Sequence, residues 1–384
     1  MNRFGDGDDV WPWTGPDERR RFDVSKLDQW DRVFAHAEAR GIGLHVVLTE
    51  TENESLFEAE QAGRERPGPP PADADPTVAL TPEDSTFADE RRLYYLELVS
   101  RFGHHRNVTW NIGEENGMAD RNARQATNPG RPNTDAQRLA FAGFLRQIDP
   151  HDHPIVVHTK PGGYEAVYRP LLGSHAYDGA SLQMGDMTAT HAETLKWVRE
   201  SAAAGRPWTV CLDEIGPANT GVVPDADDPG HDAVRRHALW GNLMAGGGGA
   251  EWYFGYKYPH NDLTCNDFRS REAMWRQGRA AVAFFSREVP LDRVEPADEL
   301  ADGEGVWCLA DVGSFYLVYV PPRVEGSVDV RSNLYRVSAF SARTMEPVGP
   351  APVDLASEPV ARVTFPPADE DRVYLIRSVP PASR

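Results

Sequence analysis

Short apolar runs alternate with segments whose apolar residues recur at helical spacing, and no other feature of the chain limits its fold so tightly. Residues 25–40 place Leu27, Trp30, Val33, Phe34 and Ala37 on one helical face, with a Ser25…Asp28 capping signal at the start and Gly41 as the stop. The run 42–49 follows at once as a strand. Thr81-Pro82 opens a second helical stretch through Leu93, Leu96, Val99 and Phe102, which ends at Gly103 and yields to a strand over 107–112. The order then repeats: a helix over 135–148, strands at 154–158 and 179–184, and a helix signalled by Thr190…Glu193 that stops at Gly205. A strand over 208–212, a helix over 233–244, a strand over 250–255 and a helix over 270–286 complete the series. Such alternation predicts βα units in a parallel sheet.

The connections give the sheet its polarity. Helix-to-strand links are short, at 41, 103–106 and 205–207, whereas strand-to-helix links are long, at 50–80, 114–134, 215–232 and 256–269. Elaboration at one end only predicts a TIM-type (β/α)8 barrel with its chemistry on the C-terminal face. No GxGxxG follows a first strand to support a doubly wound nucleotide-binding sheet. From about residue 290 the pattern changes to short strands at 306–310, 314–320, 334–341, 361–365 and 372–376, separated by Gly, Pro and Asp turns. The expected organisation is a barrel over 1–289 and a small antiparallel β-sandwich over 290–384.

Composition narrows the partners. The 384 residues carry 59 acidic against 40 basic side chains, a net charge of -19, which disfavours nucleic acid and anionic membrane surfaces. Cys211, Cys265 and Cys308 are widely spaced, so neither a disulfide framework nor a cysteine zinc cluster is expected. No apolar run is long enough to span a membrane, and the first residues show no signal-peptide core. Only four of the basic residues are lysines: Lys26, Lys160, Lys196 and Lys257.

Two of the strands end in acidic motifs, Trp110-Asn111-Ile112-Gly113-Glu114-Glu115-Asn116 and Val210-Cys211-Leu212-Asp213-Glu214-Ile215-Gly216. A single acidic residue at a strand end is ordinarily a solvated loop residue. Two such motifs at the loop-rich end of one barrel suit the division of labour in glycoside hydrolysis, where one carboxyl group protonates the leaving oxygen and the other attacks or activates water. Their environments must then drive their pKa values apart.

These residues also carry a resemblance. Asn-Ile-Gly-Glu-Glu-Asn after one strand and Asp-Glu-Ile-Gly after a later one resemble the barrel glycoside hydrolases that hold acid/base and nucleophile on strands four and seven. With His104-His105-Arg106-Asn107-Val108-Thr109-Trp110 and the segment 5–13, the chain looks more narrowly like the apiosidase-like glycoside hydrolases, whose members often end in a collagen-binding-type β domain. The resemblance implies Glu115 as general acid/base and Glu214 as nucleophile or base, with Glu114 where many relatives place a sugar-contacting Asn; it does not cleanly separate Glu114 from Glu115. It further implies that 42–49 is strand three, so that strands one and two are missing and the chain is a fragment or a late-started gene product. A secreted or periplasmic location would follow from such a truncation.

Further candidates for substrate contact are Asn111, His158, Gln183, Trp252 and Tyr253, which lie at or near strand ends, and Trp13 with Trp11, Tyr256 and Tyr258 in loops, where aromatic rings serve either as sugar platforms or as loop anchors. His151-Asp152-His153 lies in a helix-to-strand link at the other end of the barrel, and Asp6, Asp8 and Asp9 read as a solvated turn, so no metal or other cofactor is expected. The leading expectation is a glycosidase acting on a plant or microbial oligo- or polysaccharide by a two-carboxylate mechanism. The alternatives are a catalytically inactive carbohydrate- or matrix-binding protein on the same scaffold and a metal-dependent barrel hydrolase. Oligomeric state is not legible.

Overall fold

The structure is a computed structural model that describes residues 11–15, 18–49, 57, 87–117, 133–217, 219–262, 264, 266–331, 334–349, 353–356 and 362–379. The loop segment 5–10 with Asp6, Asp8 and Asp9, the Thr81-Pro82 helix opening and Cys265 lie outside the described residues. The chain divides into two compact units, one formed by 1–183 and 199–209 and the other by 184–198 and 210–384.

In the first unit, helix α1 (Val24–Glu38) precedes strand β1 (Leu44–Val47), and α2 (Asp89–Phe102) precedes β2 (Val108–Asn111). Next come α3 (Asp135–Ile148), β3 (Ile155–Thr159), the short α4 (Tyr164–Tyr168) and β4 (Gly179–Met184). The strands pair in parallel in chain order, with Val46 opposite Trp110, Asn111 opposite Val156 and His158 opposite Ser181. Every residue of β3 and β4 is buried, the expected state of strands in a parallel sheet covered on both faces. Local chemistry sets the helix ends. Thr134 and Gln137 form a reciprocal capping box at α3, each side chain bonded to the other's main-chain N–H at 3.1 Å. At α1 the cap is Asp23 rather than the predicted Ser25, because its carboxylate accepts from the N–H groups of both Ser25 and Lys26. Phe34 of α1 stacks on Phe102 of α2 with centroids 4.4 Å apart, which fixes these two helices against each other.

Helix α5 (Thr190–Ala203) begins in the second unit and ends in the first, and β5 (Thr209–Ile215), in the second unit from Val210 onward, pairs in parallel with β6 (Gly249–Ala250). Thus all six strands expected in 1–289 form, four in one unit and two in the other; six parallel strands, not eight, are present among the described residues. Two elements differ from expectation. The helix expected over 233–244 is a π-helix over Val234–Trp240 followed by α6 (Gly241–Met244), and its wider turn buries Ala238, Leu239 and Trp240 in succession. The strand expected over 250–255 stops at Ala250, because its continuation bonds to loops: Tyr253 O accepts from Val222 N at 2.7 Å, and Phe254 N donates to the Asp262 carboxylate at 2.7 Å.

After α7 (Glu272–Glu288) the unit turns antiparallel. Its strands are β7 (Glu295–Pro296), β8 (Ala301–Asp302), β9 (Trp307–Asp311), β10 (Phe315–Val320) and β11 (Gly326–Asp329), then β12 (Leu334–Ser341), β13 (Val353–Ala356), β14 (Arg362–Phe365) and β15 (Arg372–Ser378). One sheet has the order β13-β12-β15-β10-β9-β7 and the other β14-β11-β8. Both feed one buried cluster, Tyr316, Val318 and Ile376 from the larger sheet and Val328, Val363 and Phe365 from the smaller. The helical layer joins these sheets through a buried bidentate ion pair. Arg235 of the π-helix donates from Nε and Nη2 to Asp371 at 3.0 and 2.8 Å, and Tyr319 OH donates to the same carboxylate at 3.0 Å. Beside it, Trp240 stacks on Tyr319 and donates its indole N–H to Ala342 O at 3.0 Å.

Candidate active site

The turn that follows β2 is stitched to the strands on either side of it. On the β1 side, Thr49 Oγ1 donates to Ile112 O at 2.9 Å and Thr49 O accepts from Glu114 N at 2.8 Å. On the β3 side, Glu115 N donates to His158 Nδ1 at 3.0 Å, Asn116 N to His158 O at 2.9 Å, and Thr159 Oγ1 to Asn116 O at 2.8 Å. This network holds Glu115 at φ +44°, a left-handed conformation that costs a non-glycine residue of the order of 1–3 kcal/mol. Strain of this size survives only where surrounding bonds over-determine it.

The Glu115 side chain points at the ends of the next two strands. Its Oε2 is 2.6 Å from Lys160 Nζ, one residue past β3, and its Oε1 accepts from Gln183 Nε2 of β4 at 3.2 Å. Gln183 is held in turn, since Tyr164 OH donates to its carbonyl, and Gln183 Oε1 is buried with no hydrogen-bond partner among the described residues. His158 is 4% exposed, and burial, followed by the neighbouring His45 and Lys160, pushes its pKa down to about 3. It is therefore neutral at ordinary pH, and its contact with the Glu115 N–H requires Nδ1 to be the unprotonated nitrogen.

Behind this layer lies a second polar cluster. Asn116 is buried and accepts at Oδ1 from Arg138 Nη1 at 3.1 Å, while Arg138, fully buried, also donates to Asn133 O and pairs with Asp135. Gly117 has φ +83°, and a Cβ there would overlap Val167 Cγ2, so the exit from the turn admits only glycine.

Of the predicted residues, Asn111, Glu115, His158 and Gln183 belong to this first-unit constellation. Asn111 is buried and spends Oδ1 on Gly113 N at 3.2 Å. Glu114 is half-buried and anchored by its main chain at Thr49. Trp13, read as either a sugar platform or a loop anchor, has the burial of an anchor. It is fully buried, 5.3 Å from Tyr94 and 6.5 Å from Phe22 between ring centroids, and Trp11 is 4% exposed, so both rings anchor their loop.

In the second unit, Asp213 and Glu214 are half-buried within the last three residues of β5. The Gly216 that closes their motif lies where a Cβ would overlap Met184 O and Gly185 O, which explains the glycine by close approach alone. Trp252 lies against α7 at Gly278, and Tyr253 contributes its carbonyl to Val222. Lys160 and Arg138 were missed in sequence. The signal for Lys160 was its rarity, one of four lysines among 40 basic residues; Arg138 gave none. No helix among the described residues is long and apolar enough to cross a membrane.

Comparison with known proteins places this architecture in a class. No family profile matches the chain, and no curated protein is similar to it in sequence. Among solved structures, the chain has the fold of glycoside hydrolases. A protein described as a glycoside hydrolase superposes with a TM-score of 0.62 at 13% identity, covering 92% of this chain and 77% of its own. A family 5 glycoside hydrolase from Bacteroides vulgatus superposes with a TM-score of 0.61 at 14% identity, covering 92% of this chain and 74% of its own. At these identities the likeness is one of fold.

Proposed function

We propose that the chain is a glycoside hydrolase acting on an oligo- or polysaccharide by a two-carboxylate mechanism, with Glu115 as general acid/base and Glu214 as nucleophile or base. The observation that carries this reading is the Glu115 site: a carboxylate at a strand's C-terminal end, on strained backbone, with both oxygens met by side chains from the next two strands. Structures do not ordinarily spend strain on a solvated loop residue. The fold shared with glycoside hydrolases supports the class. The motif Asp213-Glu214-Ile215-Gly216 supplies the second carboxylate in this proposal, and the resemblance to the apiosidase-like group, with its collagen-binding-type β domain over 290–384, supplies the finer expectation.

In the proposed reaction Glu115 transfers its proton to the glycosidic oxygen as the bond to the anomeric carbon breaks. Glu214 attacks that carbon, or removes a proton from the water that does, as an oxocarbenium-like centre develops. His158 and the Thr49 contacts hold the Glu115 main chain, and Gln183 holds the Glu115 carboxylate through its Nε2. The test is a hydrolysis screen across a glycan panel with the wild type, Glu115→Gln and Glu214→Gln. Turnover by the wild type and loss in both variants supports the proposal, and full activity of either variant refutes its assigned role.

One observation favours a second reading, a carbohydrate-binding protein without turnover. Both Glu115 oxygens are already engaged, by Lys160 and Gln183, and an acid must present one of them to its substrate. Glycan binding by the wild type with no hydrolysis of any bound sugar would establish this reading instead.

A further inference from the structure

A second polar constellation in the first unit lies at the opposite end of β2 from Glu115, in the turn between α2 and β2. The buried His105 has a carboxylate at each ring nitrogen: Nδ1 is 2.9 Å from Glu38 Oε2 and Nε2 is 3.2 Å from Asp31 Oδ1. A neutral imidazole carries one N–H, so one of these contacts sets a lone pair against an anionic oxygen unless a cation lies there, whether a second proton or a metal ion. The shorter contact assigns the N–H to Nδ1, donating to Glu38. That is the arrangement in which a carboxylate orients a histidine and leaves Nε2 free to ligate.

The remaining geometry favours the metal. The His104 ring centroid is 4.0 Å from that of His105, and one ligand atom from each of Asp31, His104 and His105 lies within 4.8 Å of the other two. The 3.2 Å between Nε2 and Oδ1 is close to the edge of about 3.3 Å expected of a tetrahedron with bonds of about 2.0–2.1 Å. His104 is exposed, so its side chain is able to turn in and complete a third bond. Asp31 and Glu38 lie two turns apart on one face of α1, and the main chain of His105 is pinned where its carbonyl accepts from His153 Nε2 at 2.8 Å.

We propose that Asp31, His104 and His105 form a structural site for a borderline divalent transition ion, zinc or its neighbours, with Glu38 as the positioning carboxylate. Two imidazoles and one carboxylate select such an ion over magnesium or calcium, which prefer oxygen cages. The ion ties α1 to the α2–β2 turn and takes no part in the chemistry proposed for Glu115, so the two proposals stand or fall separately.

The test is calorimetric titration of the full chain, stripped with chelator, with zinc chloride, alongside magnesium and calcium chlorides and a melting curve for each. One zinc per chain, a higher melting temperature with zinc and no response to magnesium or calcium is the expected result. His104→Ala and Asp31→Asn, both at accessible positions, should leave the metal-free melting temperature in place and each weaken zinc binding at least tenfold. Glu38→Gln should weaken it about 10- to 100-fold, the usual cost of losing a partner that orients a ligand. Absence of zinc uptake by the wild type overturns the proposal. Uptake that survives both His104→Ala and Asp31→Asn overturns it too, by assigning the ion to other residues.

Discussion

The main-chain N–H of Glu115 donates to Nδ1 of His158 at 3.0 Å, so the conformation of the proposed acid depends on the protonation state of a histidine 43 residues away. That bond exists only while Nδ1 keeps its lone pair. The low pKa of the buried imidazole preserves it across the neutral range.

This relationship has a measurable consequence for stability. The folded pKa of His158, about 3, lies below the ordinary histidine value of 6.5, so the unfolded chain binds the extra proton first. The stabilisation is fully present above pH 6.5 and is lost as pH falls toward 3, at up to about 1.4 kcal/mol per pH unit from this group. Denaturant unfolding at several pH values between 7.5 and 4.5 should show the slope, and His158→Asn, which keeps an acceptor near the Nδ1 position, should reduce it. An unchanged slope in the variant would assign the pH dependence to other groups.

If Glu115 is the acid, its loss should matter most where the leaving group needs a proton. Glu115→Gln should lower kcat about 10²- to 10⁴-fold on natural glycosides. On an aryl glycoside whose phenol leaves unaided, the loss should be far smaller. Equal losses on both substrates would remove Glu115 from the acid role.

Lys160 is assigned to positioning the Glu115 carboxylate and not to the reaction itself. Lys160→Gln should reduce kcat/KM about tenfold, equivalent to about 1.4 kcal/mol, while the double variant with Glu115→Gln should be no slower than Glu115→Gln alone. Additive losses would show Lys160 acting independently of Glu115.

The turn after Glu115 gives a purely structural check. Gly117→Ala puts a methyl group against Val167 in a left-handed conformation, at a cost of about 2–4 kcal/mol from overpacking and backbone strain together. A variant with wild-type melting temperature would contradict the described turn.

In the second unit, Asp371→Ala leaves the guanidinium of Arg235, which is 2% exposed, with only the exposed Asp232 as a carboxylate partner, and should destabilise the unit by about 3 kcal/mol, the low end for breaking a buried pair. Differential scanning calorimetry of the full chain measures it. A loss below about 1 kcal/mol, the worth of a surface pair, would mean that solvent reaches Arg235.

Legibility in the sequence followed the reach of the forces involved. Helix α3 and strand β4 appear at their predicted bounds, because helical periodicity and a short strand bounded by turn residues are local signals. The first unit's share of the site was partly legible for a similar reason: Asn111, Glu115, His158 and Gln183 all sit at strand ends that hydrophobic patterning locates. Lys160 was not, because its role is defined by a carboxylate 45 residues earlier in the chain. Trp13 stayed open between platform and anchor because an aromatic ring in a loop looks the same in sequence whether it is solvated or packed under Tyr94. Strands β11 and β13 escaped because four residues with Gly, Ser or Asp among them carry no periodicity of their own.

The Arg235–Asp371 pair spans 136 residues of sequence, and this separation bears on biosynthesis. At about 5–20 residues per second, a ribosome needs roughly 7–27 s to supply the aspartate after the arginine. Throughout that interval the guanidinium has the exposed Asp232, its partner at 2.8 Å in the folded protein, but not the buried Asp371. The second, buried carboxylate arrives last, and the helical layer of the second unit completes its packing only after β15 begins to emerge.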